Sequence, residues 1–189
     1  MSKDKKEVYI SVDIESDGPL PGPNSMLSFG AAAFIDGQLM HTFTRNLAQL
    51  TFASPDPKTK AEFWDKNPEA WEACRKDIVD PSVAMHDFVY WVENIPHTPV
   101  FVGYPATFDF MFVYYYMMHF VGRSPFSFSA LDIKSYAMAK LGTGFRETTK
   151  RNMPKEWFKF DGKHTHVALD DAIEQGKLFM NILKWEKKV

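Results

Sequence analysis

Val8-Tyr9-Ile10-Ser11-Val12-Asp13-Ile14-Glu15-Ser16-Asp17-Gly18 is the stretch from which the fold can be read. Its first half alternates and is rich in β-branched and aromatic residues, the pattern of a strand. Ile10, Val12 and Ile14 fall on one face, and Tyr9, Ser11, Asp13 and Glu15 on the other. Side chains alternate along a strand, so the carboxylates of Asp13 and Glu15 project from the same side. Like charges held that near repel each other, and a divalent cation between them relieves the conflict. A single D-x-E also suits a half-buried strand whose acids face water, so the remaining sequence has to decide. Gly18, with Pro19 and Pro21-Gly22-Pro23, turns the chain sharply out of the strand.

Downstream, Met26 to Ile35 reads as a second strand, and its small residues allow close packing. Asp36-Gly37 is a hairpin signal that returns the chain as a third strand over Gln38 to Asn46. From Lys58 the pattern turns helical, with Asn67-Pro68 separating two short helices. The aromatic residues there, Phe63-Trp64 and Trp71, suit packing better than base stacking. Asp80-Pro81-Ser82 starts an amphipathic helix with Val83, Met85, Phe88, Val89 and Val92 near one face. Thr98 to Tyr104 is an apolar strand of the kind buried on both faces. A helix over Thr107 to Val121, a short strand over Ser129 to Ile133 and a helix over Lys134 to Leu141 follow. Gly142 to His164 reads as a long loop, a common seat of function. The last helix, Val167 to Glu186, carries an apolar stripe of Leu169, Ala172, Ile173, Gly176, Met180 and Leu183. Strands followed by helix-linked strands indicate an α/β domain with a mixed sheet, here one domain over 1–189.

Composition narrows the function classes. The net charge of -2 exerts no global pull toward nucleic acid or membrane. Charge is uneven, however: Arg146, Lys150, Arg151, Lys155, Lys159 and Lys163 face only Glu147, Glu156 and Asp161. That segment suits either a solvated loop or a phosphate contact. One cysteine, Cys74, excludes an internal disulfide framework. The charged N-terminus has no signal-like apolar region, and the longest apolar run, Phe108 to Val121, is interrupted and too short for a bilayer. A cytoplasmic protein that does not enter a membrane is the expectation.

Three further acids stand out. Asp109 heads a helix that is otherwise almost wholly apolar, and a buried unpaired carboxylate there would be costly. Asp170 and Asp171 both open the last helix, and the apolar stripe does not choose between them. Together, Asp13-Ile14-Glu15-Ser16-Asp17-Gly18, Ala106-Thr107-Phe108-Asp109 and His166-Val167-Ala168-Leu169-Asp170-Asp171 resemble the motifs of the DEDDh 3'-to-5' exonucleases. That superfamily includes proofreading exonuclease domains, RNase T and oligoribonuclease. The motifs occur in the expected order across nearly the whole chain, and the family's His-to-Asp spacing selects Asp171. Phe63 to Trp71 and Leu131 to Met138 look like the RNase T-like exoribonuclease group. One departure is Tyr104-Pro105, where many relatives carry His-Asn.

The resemblance implies an RNase H-like fold: a five-stranded mixed sheet flanked by helices. It implies that Asp13, Glu15, Asp109 and Asp171 gather around two Mg²⁺ ions, with Mn²⁺ a workable substitute. His166 would be the general base. Substrates would be the 3' ends of single-stranded RNA or DNA, with RNA favoured. Met26, Leu27, Phe29 and Phe108 are candidates for the seat of the terminal base, although plain core packing suits the first three equally well. A homodimer is a further expectation, since related enzymes often form one. A catalytically silent nucleic-acid-binding or scaffold domain is the competing reading.

Overall fold

The first three strands, β1 (Glu7–Ser16), β2 (Met26–Ile35) and β3 (Gln38–Leu47), form an antiparallel meander in the computed structural model. The structure describes residues 6–160 and 167–186. Asp36 and Gly37 both take positive φ, at 50° and 78°, and so turn the chain tightly between β2 and β3. Two short helices follow, α1 (Pro57–Glu62) and α2 (Pro68–Cys74), with a 3₁₀ turn over Trp64–Lys66 between them. A two-residue strand, β4 (Ile78–Val79), then pairs in parallel with β3. Helix α3 (Pro81–Glu93) begins where the Asp80 carboxylate accepts the Ser82 and Val83 N–H groups.

The remaining elements are β5 (Thr98–Gly103), α4 (Ala106–Phe120), β6 (Leu131–Asp132), α5 (Ile133–Leu141) and α6 (Ala168–Lys184). Among the described residues the sheet order is β4-β3-β2-β1-β5-β6, with six strands rather than the expected five. The extra member is β4, two residues too short to leave a periodic signature. Among the described residues no helix is long and apolar enough to cross a membrane.

The two faces of β1 are covered differently. Val8, Ile10, Val12 and Ile14 join Phe29, Ala31 and Ala33 under α3 and α4, in a core that includes Phe88, Phe112 and Tyr116. Tyr9, Ala32 and Phe34 face α5 and α6, packing on Phe179, Leu178 and Trp157. A small satellite of Leu27, Trp64, Ala70 and Cys74 fastens the α1–α2 segment to the sheet. The segment after Gly142 is more structured than a loop. It contains 3₁₀ turns at Lys150–Asn152 and Lys155–Phe158, and it buries Met153 and Trp157.

The stripe on α6 is rotated from its expected position. Ala172, Gly176 and Met180 of the expected stripe are buried, together with Ala168, Asp171, Gln175 and Phe179, whereas Leu169, Ile173 and Leu183 are only partly so. Two polar residues occupy the buried face, and a stripe drawn through apolar residues alone misses them.

Helix α4 is pegged to the sheet by Tyr116. Its buried hydroxyl, two turns along from Asp109, accepts the Met26 N–H at 2.7 Å where β2 begins. Tyr116→Phe leaves that buried donor unpaired and should lower unfolding stability by about 1–3 kcal/mol. Urea denaturation of the two proteins measures the difference, and equal midpoints with equal slopes would contradict it.

Candidate active site

Strand β1 outruns its parallel neighbour. Its pairing with β5 stops at Ser11↔Val102, so the last residues of β1 have an open edge. Asp109 fills it. The Asp109 carboxylate accepts the Ile14 N–H and its own backbone N–H, and the side chain is 4% exposed. The lead into α4 is the cis Tyr104-Pro105 peptide. Asp132 holds the start of the helix: its Oδ2 accepts the Ala106 N–H at 3.0 Å, while Oδ1 caps α5 through Ser135. Gly103 makes the approach feasible. A Cβ there would lie 2.8 Å from Ala106 Cα and 3.1 Å from Asp109 Oδ2.

Helix α6 arrives from the opposite face of the sheet. Asp13 pairs with Gly30 across β1 and β2, so the two residues share a face. A Cβ on Gly30 would lie 2.4 Å from the Leu169 backbone, so the first turn of α6 rests directly on the glycine. One turn later Gln175 donates from Nε2 to the Val12 carbonyl at 2.7 Å. These contacts bring Asp171, 7% exposed, beside β1 and leave Asp170 facing solvent. One oxygen each from Asp13, Glu15 and Asp171 lies within 4.8 Å of the others.

The electrostatics follow from this crowding. Burial raises the Asp13 carboxyl well above its ordinary value, and Asp109, Glu15 and Asp171 push it further. Burial takes Glu15 up to about 8, with Asp171 and Asp109 adding to it. Burial also takes Asp109 up to about 8, against the opposing pull of the Ile14 N–H. A fully ionised cluster near neutral pH requires added positive charge. The donor set is oxygen alone, which suits hard cations such as Mg²⁺ or Mn²⁺. Cys74 is no competitor: burial, then Glu15, pushes its thiol to about 12.

The other expected site residues fare differently. His166 lies outside the described residues. Met26, Leu27 and Phe29 have no exposed surface, so the expectation that they seat a base is corrected: each is core beneath the sheet or the satellite cluster. Phe108 is half-buried and rests on Phe112 with ring centroids 5.2 Å apart.

A cavity of about 500 Å³ opens instead beyond the end of β1. Trp64, Trp71, Asp17, Gln49 and Lys60 are among its walls. Trp64 is itself buried and tied down, its Nε1 donating to the Ser16 carbonyl at 3.0 Å. Packing therefore accounts for Trp64, while Trp71, half-buried, is the more exposed of the two. The clue in the sequence was the pairing of aromatic residues at Phe63-Trp64 and Trp71, close to the Asn67-Pro68 break.

Comparison with known proteins gives a consistent result. No protein-family model matches the chain. The 3'-5' DNA exonuclease Cap18 of Escherichia coli is 33% identical over 187 residues, covering 97% of this chain and 95% of its own length. The nuclease domain of 3'hExo, a DEDDh family member solved with rAMP, superposes with a TM-score of 0.67 at 11% identity, covering 97% of this chain and 94% of that one. E. coli Exonuclease I in complex with a dT13 oligonucleotide gives a TM-score of 0.64 at 14% identity, covering 94% of this chain and 41% of the larger enzyme. The similarity extends from the first strand to the last helix.

Two outcomes follow from this geometry. Gly30→Ala should displace the first turn of α6 and with it Asp171, weakening Mg²⁺ binding by about tenfold or more at a cost of about 1–3 kcal/mol in stability. Calorimetric titration would show it, and unchanged Mg²⁺ affinity would contradict it. The second outcome concerns pH. Glu15 and Asp109 titrate at ordinary carboxylate values when unfolded but near 8 in the fold. Between those values the folded state binds more protons, so without metal their contribution to stability falls as pH rises, levelling off above about 8. A cation that binds only the folded state reverses the penalty. The rise in Tm on adding Mg²⁺ should therefore be larger at about pH 8 than at about pH 5.5, and Asp13→Asn should raise the metal-free Tm at the higher pH by roughly 2–6 °C.

Proposed function

Because the chain belongs to the DEDDh 3'-to-5' exonuclease superfamily, we propose that it removes nucleotides from the 3' end of a single-stranded nucleic acid by metal-dependent hydrolysis. The observation that carries this reading is the meeting of Asp13, Glu15 and Asp171, with Asp109 beside them, at the open end of β1. In it, Asp13, Glu15 and Asp171, with Asp109 beside them, would hold the divalent cations. Bound there, two Mg²⁺ ions would supply an acidified water and neutralise the charge of the phosphodiester. The chain's own part is to fix the acids before substrate arrives and to keep each oxygen aimed inward. His166 is assigned the general base from its place in the motif, where an imidazole titrating near neutrality can take the water's proton.

In this reading the cavity beyond the end of β1 seats the terminal nucleoside. It begins at Asp17, two residues beyond Glu15, and Trp71 gives it an aromatic wall. Stacking on such a surface favours bases without strong sequence preference. The sequence resemblance favoured RNA, whereas the curated relative is named for DNA. That name supports single-stranded DNA as the first substrate. The silent-scaffold reading has less in its favour, since it leaves a repelling cluster of four acids without a purpose.

End-labelled single strands of DNA and RNA, incubated with protein and Mg²⁺, test the assignment. A ladder shortening from the 3' end supports it; binding without shortening would establish the scaffold instead. Asp13→Asn should reduce turnover on the order of 10³-fold or more while leaving the circular dichroism spectrum unchanged. His166→Ala should lower turnover without changing the Mg²⁺-dependent rise in Tm. Trp71→Ala should raise KM by about 5- to 100-fold with a smaller effect on kcat. An unchanged KM would place the terminal base elsewhere.

A further inference from the structure

The basic segment that follows α5 is fastened to the catalytic helix. Asn181 on α6 donates to the Trp157 carbonyl at 2.9 Å, and Trp157, 1% exposed, sets its ring edge-on to Trp185 at 5.4 Å. The buried Thr148 donates to the Gly144 carbonyl at 3.0 Å, and Asn152 donates to the Glu147 carbonyl at 2.8 Å. The 3₁₀ turn Lys150–Asn152 lies between these anchor points, so its position relative to α6 is set by packing.

Lys150 uses that position in a specific way. Its Nζ stands 5.5 Å from the ring centroid of Tyr104, the residue that leads into α4 and Asp109. The same Nζ lies 3.4 Å from Glu174 Oε1, three residues along α6 from Asp171. The ammonium is thus held between the two segments that deliver Asp109 and Asp171. Its charge reaches Asp13, where it opposes the upward pull of burial and of the neighbouring acids. The contact with Glu174 is long and the lysine side chain is 44% exposed, so the pair is weak and easily exchanged. The two lysines of α5 are engaged elsewhere: Lys134 lies over the Phe145 ring, and Lys140 donates to the Trp185 carbonyl.

We propose that Lys150 is a substrate-positioning residue whose ammonium, steadied by the Tyr104 ring, leaves Glu174 to take a non-bridging phosphate oxygen of the strand at the mouth of the carboxylate cluster. This deepens the exonuclease reading and rests on it. A lysine is a point charge that tolerates many phosphate orientations, which suits a strand that must advance after each cleavage. It also supplies a cation on the open side of an acidic crevice that would otherwise repel the approaching polyanion.

Binding of a fluorescent single-stranded DNA, measured by anisotropy in Ca²⁺ to slow hydrolysis, tests the inference beside turnover in Mg²⁺. Lys150→Ala should weaken binding by about 5- to 30-fold and reduce the slope of log K against log salt by about 0.7. Lys150→Arg, which keeps the charge, should stay within about threefold of the native protein. The Mg²⁺-dependent rise in Tm should be the same in all three. A purely structural lysine would leave the salt slope unmoved, and an unchanged slope with unchanged affinity overturns the proposal. A lost Tm response in Lys150→Ala also overturns it, by assigning the residue to the metal site. If the native protein neither binds nor shortens DNA or RNA, the exonuclease reading fails and this inference with it. If the native protein works and Lys150→Ala works equally well, only this inference fails.

Discussion

Mutual repulsion among four crowded carboxylates, two of them buried and two half-buried, is the constraint under which the rest of the fold is arranged. Asp13, Glu15, Asp109 and Asp171 would separate if they were free to do so, and in the absence of cations burial keeps protons on at least some of them. What holds them together is structure remote from the charges. Beneath the sheet an aromatic core joins Phe29, Phe43, Phe88 and Trp91, and it fixes β2, β3 and α3 relative to one another. On the other face Phe179 packs edge-on to both Tyr9 and Tyr136, tying α6 and α5 to the strand that carries the acids. The repulsion is local and the cohesion is distributed, so packing away from the charges sets where the acids stand.

Much of this was legible in the sequence because the dominant signals are short-range. The alternation around Asp13 and Glu15, the Asp36-Gly37 turn, the Asn67-Pro68 break and the Asp80-Pro81 helix start each depend on a few neighbouring residues. The fold class followed from their order. What was misread depends on partners far along the chain. The β4 strand exists only because β3 offers an edge to Ile78 and Val79. The segment after Gly142 looked like a loop because its buried apolar residues, Met153 and Trp157, are too sparse to make a period. Met26, Leu27 and Phe29 sit beside the motif loop in sequence, yet their side chains turn into the interior. Nearness along the chain was a poor guide to nearness to substrate.

The rotated face of α6 is the most informative of these differences. Asp171 and Gln175 lie on the buried side, one in the carboxylate cluster and the other bonded to the Val12 carbonyl. A reading that scores apolar residues as inside and polar ones as outside must turn the helix away from them. The polar residues that displace a hydrophobic stripe are therefore the ones with a task at the sheet, and the size of the displacement is itself a signal. The ambiguity between Asp170 and Asp171 has the same origin. Both open the helix, but only Asp171 is on the side that Gln175 marks as facing β1.

The closest approaches around the site are made where a side chain is missing. Gly30 and Gly103 have no chemistry to contribute, yet any Cβ at either position would meet backbone atoms at 2.4 to 2.8 Å. Backbone cannot move aside as a flexible side chain can, so substitution would have to shift a whole helix start. Each glycine lies under the helix that carries one of the distant acids: Gly30 under the first turn of α6, Gly103 under that of α4. The acids determine which ion can bind, but the glycines determine whether the acids can meet. A site of this kind is specified as strictly by its small residues as by its charged ones. The two glycines sit on β2 and β5, the neighbours of β1 on either side, while α4 and α6 pack on opposite faces of the sheet.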